Sequence, residues 1–102
     1  MSEVLVGALD ELKQVTVVSD GVPESIAVFK LPSGVYAISD TCTHEETPLS
    51  DGDVDEEDET IECMLHGAVF SLPTGDVRAL PATQPVKTYE TIVRDGNVYL
   101  KV

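Results

Sequence analysis

Apolar residues recur along this chain in short runs broken by turn formers, not at the three-to-four spacing of a helix. Runs rich in β-branched residues fall at Thr16 to Val18, Ser25 to Leu31, Val35 to Ser39, Thr60 to Glu62 and Val86 to Arg94, and each predicts a strand. Pro32-Ser33-Gly34 separates the second run from the third. Asp95-Gly96 joins Tyr89–Arg94 to Asn97–Val102 with the two-residue chemistry of a type I′ turn, so both junctions predict antiparallel hairpins. The sole helix candidate is Ala8 to Leu12, an acidic stretch long enough for one turn or slightly more. Seven acidic residues in the nine from Asp51 to Glu59 predict a solvated loop. Many short strands between turn signals make the chain all-β, an antiparallel sandwich or barrel.

At 102 residues the chain is expected to be one domain, residues 1–102, with room for one site. Hydrophobic residues are 42% and aromatics only 5%, so the core must be aliphatic. Six Lys and Arg against 19 Asp and Glu give a formal charge of −13. Such a charge repels nucleic-acid phosphates and anionic membranes, and it suits encounter with a basic protein partner. The opening residues show no basic stretch followed by a long apolar run, and no segment approaches the ~20 apolar residues of a membrane span. The expectation is therefore a cytoplasmic monomer. In a reducing compartment, a disulfide between the two cysteines would be unusual.

The chain has two Cys and two His, and all four fall in two tight pairs, Cys42-Thr43-His44 and Cys63-Met64-Leu65-His66, separated by the eighteen residues 45–62. Taken singly, each would pass for a buried small hydrophobe or an ordinary histidine. Scarce metal-binding residues paired at short spacing point instead to one shared centre. Cys2His2 also suits structural zinc, but zinc modules usually open with two cysteines and close with two histidines. Loops that each supply one thiolate and one imidazole better suit two irons. A Cys nucleophile with a His base would leave the second pair unexplained.

These two motifs, with Val35-Tyr36-Ala37-Ile38 before the first, Phe70-Ser71-Leu72-Pro73-Thr74-Gly75 after the second, and Pro81-Ala82 before Pro85-Val86-Lys87-Thr88-Tyr89, resemble the Rieske family over nearly the whole chain. The resemblance implies the Rieske iron-sulfur fold, an antiparallel β-sandwich with a small cluster-binding subdomain at approximately 40–82. It implies one 2Fe-2S cluster, with Cys42 and Cys63 on one iron and His44 and His66 on the other. Leu80-Pro81-Ala82 looks like the family's proline loop, and both histidines are expected to form the electron exit.

The departures are informative. Respiratory and photosynthetic members carry two further cysteines that cross-link the cluster loops, where this chain has Thr47 and Leu65. They also offer Ser and Tyr hydroxyls to sulfur, where this chain has Ala68 and Phe70. Fewer hydrogen bonds to sulfur lower the potential, giving an expected value at the bottom of the Rieske range, about −150 mV. A low-potential, single-domain protein of this kind resembles the ferredoxins of bacterial aromatic-ring dioxygenase systems. These carry single electrons from a flavin-dependent reductase to a terminal oxygenase. The oxygenases add a mononuclear iron held by two histidines and a carboxylate. With no histidine to spare, this chain is expected to be a carrier, not an enzyme. The Rieske-like small subunit of nitrite reductase and a zinc-stabilised interaction module are the alternatives.

Overall fold

The computed structural model describes residues 3–41, 48–64, 67–79 and 84–102. Among these residues ten strands are present: β1 Glu3–Ala8, β2 Val15–Val18, β3 Ile26–Leu31, β4 Gly34–Ser39, β5 Asp53–Asp55, β6 Thr60–Glu62, β7 Val69–Ser71, β8 Val77–Ala79, β9 Thr88–Arg94 and β10 Asn97–Lys101. Every pairing is antiparallel. Six strands form one sheet in the order β1-β10-β9-β4-β3-β2, and β5-β6-β7-β8 form a second. The helix expected at Ala8 to Leu12 is a single 3₁₀ turn, Leu9–Glu11.

Strand β3 explains how the layers meet. Five of its six residues are buried, because its alternate side chains enter two different cores. Ala27, Phe29 and Leu31 join Ile38, Leu49, Ile61, Phe70 and Leu72 between the two sheets. Ile26 and Val28 point the other way, to Ala37, Leu100, Val4, Val6 and Tyr89, where the larger sheet curls over itself. A strand apolar on both faces needs cover on both, and the second sheet supplies it for one.

Both expected hairpins form. Leu31 pairs with Gly34, and Arg94 pairs with Asn97. Asp95 and Gly96 have φ of 52° and 78°, the left-handed pair that a type I′ turn requires.

The acidic segment departs from expectation. Residues 51–59 are not all loop: Asp53–Asp55 is a strand, pairing Asp53 with Glu62, Val54 with Ile61 and Asp55 with Thr60. Only Val54 of that strand packs against the core, while the flanking carboxylates stay exposed. One apolar residue between two aspartates is too weak a period to announce a strand. Beyond it, the Asp55 carboxylate accepts the Glu57 and Asp58 N–H groups, each at 3.0 Å, and turns the chain. Glu59 follows at φ 56°, where its carboxylate accepts the Ser33 hydroxyl at 2.5 Å and the Tyr36 hydroxyl at 2.6 Å. That latch ties the β5–β6 turn to the β3–β4 hairpin. Both hydroxyls hold the Glu59 carboxyl below its ordinary pKa, and the same bond raises that of Tyr36.

Candidate metal centre

In sequence each Cys/His pair follows one of the expected strands, Val35 to Ser39 and Thr60 to Glu62. Strand β6 runs directly into Cys63, which is only 1% exposed and packs in the inter-sheet core with Leu49, Ala68 and Phe70. The Cys63 N–H donates to the Ala68 carbonyl at 2.7 Å, closing a tight turn in which Gly67 takes φ 72°. Met64, the next residue, is 67% exposed, so the turn has one side in the core and one side in solvent.

The first pair leaves from the end of β4. Cys42, His44, Thr47, Leu65, His66 and Leu80-Pro81-Ala82 lie outside the described residues. The stems that carry them are described. Thr41 pairs with Pro48 in an antiparallel bridge across the base of the 42–47 loop. Beneath it, the Asp40 carbonyl accepts the Leu49 N–H at 2.6 Å, and the Asp40 carboxylate accepts the Ser50 N–H at 2.8 Å. Leu49 is wholly buried, in the same core as Cys63. The stems of both Cys/His loops thus end on one apolar cluster. The residues leading into β9 join them where the Ser39 N–H donates to the Lys87 carbonyl at 2.8 Å.

This setting bears on the chemistry. Cys63 is enclosed by Leu, Ala and Phe side chains, shut off from a solvent-borne electrophile. That is poor ground for a nucleophile and good ground for a metal ligand on a rigid strand end. Soft thiolates with neutral imidazoles are a donor set suited to iron in a sulfide cluster, so the residues fit such a group. Among the described residues, no group of three or more His, Cys, Asp or Glu side chains is arranged to hold a metal ion, the acidic segment included.

Just below lies a polar network that the sequence did not announce. The Tyr89 hydroxyl donates to Glu24 Oε2 at 2.6 Å, and the Ser39 hydroxyl donates to Glu24 Oε1 at 2.8 Å. Burial and the Glu24 carboxylate push the Tyr89 pKa up to about 12, while the two hydroxyls hold Glu24 low. Asp40 was missed as well. Its closeness in sequence to Cys42 was the only signal, because its partner lies ten residues on.

Comparison with known proteins agrees with this geometry. The Rieske [2Fe-2S] domain model matches residues 2–90. The 3-phenylpropionate/cinnamic acid dioxygenase ferredoxin subunit of Photorhabdus laumondii is 38% identical over 102 residues, covering 100% of this chain and 96% of that protein. The ferredoxin of carbazole 1,9a-dioxygenase from Nocardioides aromaticivorans IC177 superposes with a TM-score of 0.90 at 35% identity, covering 98% of this chain and 97% of that one. The ferredoxin in a complex of reduced oxygenase and oxidised ferredoxin of carbazole 1,9a-dioxygenase gives 0.89 at 32%, covering 96% and 91%.

Proposed function

The chain belongs to the Rieske [2Fe-2S] domain family, and from that premise we propose that it passes single electrons from a flavin-dependent reductase to the terminal oxygenase of an aromatic-ring dioxygenase system. It is an electron carrier with one Rieske-type 2Fe-2S cluster, not an enzyme. Bound in the protein, the cluster accepts and releases one electron at a time. The residues that hold it are Cys42 and Cys63, through thiolates on one iron, and His44 and His66, through imidazoles on the other. The cluster-binding subdomain is approximately residues 40–82 of a single 1–102 domain.

The observation that carries the ligand reading is Cys63, a buried thiol at a strand end, sharing its core with the stem of the Cys42 loop. The oxygenase partner is supported by the solved ferredoxin–oxygenase complex of the carbazole system. Among the described residues no helix is long and apolar enough to cross a membrane. We take the carrier to be cytoplasmic and monomeric, meeting its partners through an acidic surface.

Electron paramagnetic resonance after dithionite reduction, with iron and acid-labile sulfide counts, tests the reading. The expected result is two irons, two sulfides and a rhombic signal that is lost in His66→Ala and Cys42→Ser. A colourless, silent protein containing zinc would overturn it. Electron delivery from a flavin reductase to an oxygenase, followed by stopped-flow bleaching, tests the partners.

A further inference from the structure

The 42–47 loop must be held at its base by something other than a covalent staple, because both cysteines of the chain belong to the proposed ligand set. Asp40 is where its two ends are fastened. It is 8% exposed, and three of its polar groups are engaged at once. Its N–H donates to the Ser25 carbonyl at 3.0 Å, its carbonyl accepts the Leu49 N–H, and its carboxylate accepts the Ser50 N–H. The first bond fixes Asp40 to the chain just before β3. The other two draw residues 49 and 50 back against the start of the loop.

The fastening continues to the second loop. The Gly52 N–H donates to the Leu49 carbonyl at 2.9 Å, and a Cβ at Gly52 would collide with the carbonyl oxygen of Glu62, the residue before Cys63. Residues 48–52 therefore form a neck clamped by Asp40 at one end and pressed against the Cys63 stem at the other.

We propose that Asp40 is the positioning residue of the Cys/His centre, its carboxylate oxygen holding the neck so that both ligand loops keep one relative geometry. The proposal rests on the ligand reading given above. An acceptor oxygen is what the geometry uses, so Asp40→Asn, which can keep an oxygen toward the Ser50 N–H, retains the function, and Asp40→Ala loses it.

The test compares wild type, Asp40→Asn and Asp40→Ala as cluster-loaded proteins. Measurements are the reduced-state resonance signal, iron release to a ferrous chelator, and thermal unfolding. Asp40→Ala is expected to release iron about tenfold faster, the scale of one lost hydrogen bond, and to show shifted or broadened g values. Asp40→Asn should match wild type in both. An Asp40→Ala protein that melts lower but keeps the wild-type signal and iron release overturns the proposal, as does an Asp40→Asn protein as impaired as Asp40→Ala. If Asp40→Ala does not fold, hydrogen exchange on wild type decides: a protected Ser50 amide is expected, and one exchanging at the solvent rate overturns the clamp. A wild type without a Rieske signal would remove the ligand reading itself, and the proposal with it, a result distinct from failure of Asp40 alone.

Discussion

Ala68 closes the turn over Cys63 through its carbonyl and has no side-chain donor, and Phe70 lies wholly buried without a hydroxyl. Hydrogen bonds to the cluster's sulfurs favour its more negative, reduced form, so their lack here is expected to keep the potential low. Ala68→Ser is expected to raise the midpoint by about 40 mV, which is roughly 1 kcal/mol of hydrogen bond in a one-electron couple. Redox titration followed by circular dichroism checks it, and an unmoved midpoint would mean the hydroxyl fails to reach sulfur. The Tyr89–Glu24 pair gives a pH signature. Tyr89, raised to about 12, contributes stability that is fully present below the unfolded tyrosine pKa of about 10 and is lost as pH rises through about 12. Glu24, held low, contributes stability present above the unfolded carboxylate value and lost as pH falls through its depressed folded pKa. Tyr89→Phe should remove the tyrosinate absorbance step near pH 12 and make the alkaline limb of a denaturation-midpoint curve shallower, with a smaller effect on the acid limb because Ser39 still donates to Glu24. At this scale the sequence spoke through scarcity, in two Cys and two His, of which Cys63 is described, buried at a strand end. It was silent where one common residue, Asp40 or Glu24, acts through a partner far along the chain.

Among the elements, strands with dense β-branched runs were legible, and those that borrow their order from neighbours were not. Strands β2, β3, β4, β6, β9 and β10 lie within a residue or two of expectation. Strand β5 shows one apolar side chain, and β8 is three residues long. Strand β1 carries a register shift between Leu5 and Gly7 that spoils its alternation. Such segments become strands because a partner offers hydrogen bonds, a tertiary fact no local period records. Strand β5 also leaves a mark on stability. Asp53 faces Glu62 directly, and like charges across a pair are unfavourable. Asp53→Lys should raise the unfolding free energy measured by urea denaturation by roughly 0.5 kcal/mol. Gly96 offers the complementary case: nothing lies within 4 Å of a Cβ added there, so the only penalty of Gly96→Ala is its φ of 78°. A loss of about 1 kcal/mol in equilibrium unfolding is expected, with the cluster signal unchanged.

For the molecule as a whole, the formal charge of −13 sets the terms of every encounter. Raising ionic strength from about 10 mM to about 150 mM contracts the screening length from about 30 Å to about 8 Å. The second-order rate of electron delivery to the oxygenase is expected to fall across that range. A rate indifferent to salt would assign docking to apolar contacts such as exposed Met64.

Strands β4 and β9 pair directly, Ala37 with Tyr89 and Ile38 with Thr88, although the whole of the second sheet lies between them in sequence. The frame is therefore closed behind a single contiguous excursion of chain. Length added or removed within that excursion changes the closure entropy only logarithmically, while the frame's own ladder stays in register. An excursion seated this way is open to exchange so long as its replacement keeps the side chains that cover Phe29 and Ile38: the inserted part can then be fitted to different partners while the frame's ladder is inherited.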